Sequence, residues 1–584
     1  MVHSVRKYSF MWIALLMGLL VLAVACSSGD DDASSSAASS STTAAAPVAT
    51  TAPAAPAAPA ADQPIYGGTL RFAQSRDNRV SWDPHATRGG QSLAQNTGSW
   101  WHNGLMSRAY GVDVGGGVSE SMPDLAETWE VSNGGLTYTF TLHKGVKFHD
   151  KAPVNGREVT SEDVKWSYER FLKGPDSDKW QLGDISSIDT PDKYTVVMNL
   201  KDPVVSFLHH VGEPLAYILP KEAASSPPKT PTLKLDEEFI APDGIIGTGP
   251  WMFKSHEKDK KVVAVRNPNY FKQDELGNQL PFIDQMEYVV IPDASARLAA
   301  FAAGEVATAL PSSGSTQEAL DQNPDANFSQ DQPTSPPQYA FRQDRELFTD
   351  IRLRRAVSMA IDQQAYRDQL RGSTSAHTWG SAPATAFPEY DITAEELGSA
   401  AKWWQYDPQA SKALLAEAGY GPSNPLAFDF QFSSCCKSSY LPDLVESMLR
   451  DVGIEVNIKI VDHSVHLKTS NVGKGDYDMA HARVKGAEID DFLLTFMPGN
   501  PKNVSHVDDA TLNKMILAQR VIQDPTKRFA AVREIQKYLA DQVYVFYIPD
   551  RFGDFLWQKE IKGFRNHMGN TEGRDWERAW IDPS

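Results

Sequence analysis

Two hydrophobic rhythms alternate along residues 63–584, and together they restrict the chain to a layered α/β architecture. One rhythm is period two. Trp129 and Val131 alternate with polar neighbours, Asn133-Gly134-Gly135 supplies a turn, and Tyr138, Phe140 and Leu142 alternate on the return, which predicts a hairpin over 128–148. Tyr194, Val196, Met198 and Leu200 predict another strand, as do Val456, Ile458 and Ile460, and Val543–Ile548 reads as a last buried one. The other rhythm is helical. Thr160-Ser161-Glu162-Asp163 opens a helix with Val164, Tyr168 and Phe171 on one face. A helix from Asp350 to about Leu370 buries Leu353, Val357, Ala360 and Ile361. Asp407-Pro408 opens another that Gly419 closes, Tyr440–Val452 is stopped by Gly453, and Asp524-Pro525 separates helices at 508–523 and 525–541. Strands interleaved with helices favour layers of helix on sheet.

The first 62 residues follow neither rhythm. Arg6 and Lys7 precede an uncharged apolar run from Phe10 to Ala25, which ends in small residues before Cys26. A charged start, an apolar centre and small residues at the break describe an export signal, and the run is short for a membrane span. Leu22-Ala23-Val24-Ala25-Cys26 resembles a bacterial lipobox, which implies Cys26 as the lipidated N-terminus after cleavage. Ala, Ser, Thr and Pro make up nearly all of residues 27–62, so nothing apolar offsets the entropy of ordering and a disordered tether is expected.

The net charge of −18 lies mostly beyond this leader, and it argues against a nucleic-acid binder, which must neutralise phosphates. Three cysteines exclude a disulfide-built scaffold. Cys435 and Cys436 are adjacent, and two readings stand: a vicinal disulfide, or reduced buried thiols. The chain holds no HExxH, phosphate loop, GxSxG or CxxC, so an enzyme is not expected, nor a cofactor or metal. His463 and His466 could share a metal, but a surface-loop pair is the simpler reading. His209 and His210 would point apart in a regular element. Trp100-Trp101 and Trp403-Trp404 fit core packing or a lid better than ligand stacking.

One long block carries a resemblance. It runs Pro123-Asp124-Leu125-Ala126-Glu127-Thr128-Trp129-Glu130, through Gly135-Leu136-Thr137-Tyr138-Thr139-Phe140 and Gly145-Val146-Lys147-Phe148-His149-Asp150, to Ser161-Glu162-Asp163-Val164 and Ser167-Tyr168-Glu169-Arg170. Gly247-Thr248-Gly249-Pro250, Arg266-Asn267-Pro268-Asn269-Tyr270, Arg352-Leu353-Arg354-Arg355-Ala356, Tyr406-Asp407-Pro408 and Gly475-Asp476-Tyr477-Asp478-Met479 follow in order. These stretches, covering about 65–565, resemble the family 5 extracellular solute-binding proteins, the peptide-, dipeptide- and nickel-binding components of bacterial ABC importers.

The resemblance implies an α/β type II periplasmic-binding-protein fold of two hinged lobes. The first lobe would be 63–335 with 545–584, carrying an extra subdomain at about 91–184, and the second 340–543. The hinge crossings would lie near Tyr339–Phe341 and Val543–Ile548. It further implies a lipid-anchored, extracytoplasmic and monomeric receptor that captures a peptide-like solute and delivers it to a permease. Another organic solute (an oligosaccharide, metal chelate or haem) or a sensor role are the alternatives, with a surface enzyme a distant third. The ligand-amine acid of peptide-binding relatives falls nearest Glu488, with Asp490 and Asp491 beside it, while Lys485 replaces the usual Trp. Glu488 and Asp490 are thus expected to meet a ligand cation, unless Lys485 or Arg483 neutralises the pocket or the acids form a solvated loop.

Overall fold

The predicted hairpin forms in the structure. Strands Ala126–Ser132 and Thr137–Leu142 pair antiparallel, and Asn133, Gly134 and Gly135 all take positive φ at the turn. The computed structural model describes residues 63–583, apart from 76–81, 87–97, 111, 113–119, 174–178, 214–215, 224–244, 312–313, 332–334, 371–377, 381–386, 435–440, 470–472, 484–487 and 568–572. The signal, the tether, Cys26, Cys435, Cys436 and Lys485 therefore lie outside the described residues.

The hairpin belongs to a four-stranded antiparallel sheet, ordered Ala126–Ser132, Thr137–Leu142, Thr195–Leu200, Ile185–Asp192. The Ser161–Lys173 helix packs on it, and Tyr138, Phe140, Val164, Tyr168, Phe171, Val196 and Met198 form one core. This layer continues past residue 184 to Leu200, because Thr195–Leu200 pairs with both the hairpin and Ile185–Asp192.

A second sheet joins Thr69–Gln74, Gln285–Val290, Lys261–Arg266 and Trp251–Glu257. Trp100, Trp101, Trp251, Phe72 and Phe253 pack against it together with Phe564 and Trp576 from the end of the chain. Phe564 and Trp576 stack with ring centroids 3.7 Å apart. Strand Gly553–Trp557 inserts between Thr308–Ala309 and Asn327–Asp331, so the C-terminal segment returns to this part of the molecule.

The third main sheet is five-stranded: Ile454–Val461, Leu426–Ser433, Met479–Arg483, Pro337–Phe341, Val545–Tyr547. Its first three strands are parallel and the other two alternate in direction. Helices cover both faces over two cores, one containing Tyr339, Leu353, Val357, Trp404, Phe430 and Leu449, the other Phe492, Leu512, Ile516, Val532 and Ile535. The segments expected to cross between lobes, near Tyr339–Phe341 and Val543–Ile548, fall in or beside the adjacent paired strands Pro337–Phe341 and Val545–Tyr547.

Two local expectations change. The helix read over 350–370 is two helices, Ile351–Ala360 and Gln363–Leu370. Ile361 is extended, and the Asp362 carboxylate accepts the amides of Gln364 and Ala365, so a cap restarts the helix in mid-stripe. Val543 is not in the last strand. It adopts φ 51° as the left-handed end of the Pro525–Gln542 helix. Trp100, Trp101 and Trp404 are core residues, and Trp404 stacks on Phe546 at 5.3 Å.

Candidate functional site

Parallel strands align their carboxyl ends, and in open α/β sheets ligands bind in the crevice just beyond those ends. Here that edge is formed by Ser433, Val461 and Arg483. The His463–Lys468 helix starts directly after one of these strands, and His463 Nδ1 lies 2.9 Å from Ser433 Oγ. His466 is not a surface-loop residue. It is 3 % exposed, its ring lies 5.7 Å from that of buried His481, and burial pulls its pKa down to about 4. Among the described residues no group of three His, Cys, Asp or Glu side chains is placed to hold a metal ion. Arg483 pairs with Asp550, which follows the last strand of the sheet.

Beyond Arg483 the chain reaches Glu488, which N-caps the Ile489–Leu494 helix. Glu488 accepts the Asp490 amide at 2.6 Å, and its other oxygen lies 2.6 Å from Arg528. Asp490 is 0 % and Asp491 1 % exposed, so the acids do not form a solvated loop. Asp490 accepts from Gln519 at 2.6 Å, from Ser206 at 2.9 Å and from Arg520 at 2.9 Å. Asp491 lies 3.1 Å from His210 Nε2. The structure therefore brings Glu488, Asp490 and Asp491 together and provides each with protein partners. Ser206, His210, Gln519, Arg520 and Arg528 were not singled out from the sequence as site residues. Ser206 lies 284 residues from Asp490, and no local pattern announces such a partner.

Burial is the largest influence on Glu488. Asp490 and Asp491 add to it, Arg528 and the Asp490 amide oppose it, and the carboxyl is pushed up to about 7. A raised carboxyl favours the protonated form in the folded protein. Its contribution is complete below the ordinary pKa of 4.5 and is lost as pH rises through about 7. Thermal unfolding followed from pH 5 to pH 8 should thus show stability declining with pH, and Glu488→Gln should flatten that decline. An identical pH slope in the variant would remove Glu488 as its source.

Residues 120–502 match the family model of bacterial extracellular solute-binding proteins, family 5 Middle. The chain is 28% identical over 487 residues to di/tripeptide-binding protein 2 of Pseudomonas aeruginosa (strain UCBPP-PA14), covering 80% of this chain and 87% of that protein. Among solved structures it is similar to the Helicobacter pylori periplasmic binding protein DppA in complex with the peptide STSA, with a TM-score of 0.72 and 23% identity over 89% of this chain and 99% of that one. The oligopeptide-binding protein AppA of Bacillus subtilis in complex with a nonapeptide gives a TM-score of 0.72 at 21% identity, covering 89% of this chain and 100% of that one.

Proposed function

Because the chain belongs to the family 5 bacterial extracellular solute-binding proteins, whose members are transport proteins, we propose that it captures a short peptide between its two lobes and delivers it to an ABC importer permease. The observation that carries the peptide assignment is the similarity to a di/tripeptide-binding protein along 80% of this chain. The sheet geometry supports the location. The parallel strands of the second lobe end at Ser433, Val461 and Arg483, where an extended backbone can lie across strand ends and pair through main-chain groups.

In this reading Glu488 bounds the crevice on one side and faces the α-ammonium of the peptide. Asp490 and Asp491 hold the wall behind it through Gln519, Arg520 and His210. A solute that touches both lobes only when they are closed shifts the open–closed equilibrium, and the closed form is the docking signal. No bond chemistry is required. In this reading Cys26 carries the lipid that keeps the receptor at the outer face of a membrane, and residues 27–62 are the tether.

Titration calorimetry with di- and tripeptides tests the assignment. The expected result is saturable binding with a dissociation constant of about 1 µM, equivalent to roughly −8 kcal/mol. Free amino acids and sugars should give no heat. Flat isotherms for every peptide of two to nine residues would overturn the peptide assignment.

A further inference from the structure

The sheet carrying the predicted hairpin and the five-stranded sheet have separate apolar cores, yet they meet through polar groups. On the first side, Phe207 and Val211 of the Phe207–Val211 helix enter the hairpin-sheet core, while Ser206 and His210 reach the other way. On the second side, Phe492 and Leu493 enter the second-lobe core, while Asp490 and Asp491 reach back. Ser206 Oγ donates to Asp490 at 2.9 Å, and His210 Nε2 lies 3.1 Å from Asp491. Arg520 spans the seam. Its Nε donates to Asp490 at 2.9 Å within its own lobe, and its Nη2 donates to Asp184 at 2.8 Å on the other side. The Arg520 carbonyl also accepts the Val205 amide at 3.0 Å. A Cβ on Gly135, at the hairpin turn, would sit 3.0 Å from Gln523 Nε2.

This division has a physical consequence. When the two bodies separate, Asp490 keeps Gln519 and Arg520, Glu488 keeps Arg528, and Asp491 keeps the Glu488 amide at 3.3 Å. Only the cross-seam bonds are exchanged for water, so no charge is left buried and alone. A seam of this kind can open without unfolding either side, and its few polar bonds bias the equilibrium toward the closed form. Burial alone would pull His210 down. Its bond to Asp491 and the charges of Asp491 and Asp490 outweigh burial and Arg520, so the net direction is up, which favours an imidazolium facing Asp491.

We propose that Asp184, Ser206 and His210 on one side, with Arg520, Asp490 and Asp491 on the other, form an interlobe latch that sets the open–closed balance before any solute arrives. Arg520 is its positioning residue, since it holds an acid on each side. The latch rests on the reading of two lobes that close on a solute. It goes further, because apparent affinity equals the intrinsic affinity multiplied by the fraction of molecules ready to close.

Hydrogen exchange on the intact, ligand-free protein tests it, because the Val205 amide is bonded across the seam. The double variant Asp184→Asn/Ser206→Ala alters only the first side and leaves the Asp490–Arg520–Gln519 network whole. Exchange in segments containing Val205 and residues 488–494 should rise about tenfold, while strands 137–142 and 426–433 are unchanged. Affinity for a dipeptide should fall by a similar factor, and saturating peptide should restore protection. Arg520→Gln should act in the same direction and more strongly. Unchanged exchange at Val205, or a rise spread equally over the core strands, would overturn the latch. If the parent protein bound no peptide, the peptide reading would fail, and the exchange measurement would still decide the latch.

Discussion

Gly247→Ala is expected to prevent accumulation of folded protein, or to lower its stability by about 3 kcal/mol or more. A Cβ at Gly247 would lie 2.0 Å from the Trp101 carbonyl oxygen and 2.4 Å from His102 Nδ1. The first of these is backbone and cannot swing aside. The Gly247 carbonyl accepts the His149 amide at 2.8 Å, and Gly249 donates to the Trp101 carbonyl at 2.9 Å, so both flanks of the segment are tied. Trp100 and Trp101 behind it are each 1 % exposed, and a buried wall packed at ordinary interior density yields little. The segment also joins two cores, with Ile245 in that of the Thr69–Gln74 sheet and Ile246 in that of the hairpin sheet. Since whole domains are stable by roughly 5–15 kcal/mol, a loss of this size shows directly in a urea midpoint. Gly421→Ala is the control, because a Cβ there meets nothing within 4 Å. An unshifted midpoint for Gly247→Ala would contradict the close approach.

Arg574→Ala should cost about 3–5 kcal/mol, because it strips one cation from a buried, charge-balanced cluster. Asp124 accepts from Asn103 at 2.8 Å and from the Gly104 amide at 2.9 Å, and it pairs with Lys272 and Arg574, each at 2.7 Å. Glu577 accepts from Tyr110 at 3.1 Å and from Tyr270 at 2.9 Å, and Lys272 lies 3.8 Å away. Two acids and two bases thus neutralise one another where water is excluded. Removing Arg574 leaves Asp124 buried with one cation. Burial is the largest influence on Asp124 and pushes its carboxyl up, but Arg574 and Lys272 together bring it below the ordinary value. A depressed carboxyl contributes stability above its unfolded pKa of about 3.9, and that contribution disappears as pH falls through the folded value. Acid unfolding followed by circular dichroism should therefore begin at a higher pH in Arg574→Ala than in the parent. Coincident acid transitions would show that the cluster does not hold the C-terminal segment in place.

The two clusters differ in how far the sequence announces them. Asp124 stands in the Pro123–Glu130 block that carries the family resemblance, and Glu488, with Asp490 and Asp491 beside it, falls nearest the ligand-amine position that the resemblance implies. Their cationic partners Arg574 and Arg520 carry no such local mark. Arg574 sits near the end of the chain, and Arg520 sits in the last turn of a helix, where a cation is ordinary. Their roles depend on which acid the fold brings alongside. The same limit explains the helix read over 350–370. Its apolar stripe continues through Ile361, but the competing Asp362 cap restarts the chain there, and periodicity does not report caps placed inside a stripe.

What the sequence determined by itself was local and periodic. A hairpin over 128–148 followed from alternation and a turn whose residues accept positive φ, and the paired strands run 126–132 and 137–142. The helix starts at Asp407 and Asp524 followed from caps whose carboxylates accept the first free amides. These features depend on neighbours a few residues away, so a single chain reveals them. Only the tertiary structure decided that Asp490 meets Ser206 and Arg520, that Asp491 meets His210, and that Asp124 meets Arg574. A charge inside a protein takes whichever partner the packed layers place within about 3 Å, and that choice depends on distance in space, which separation along the chain does not encode.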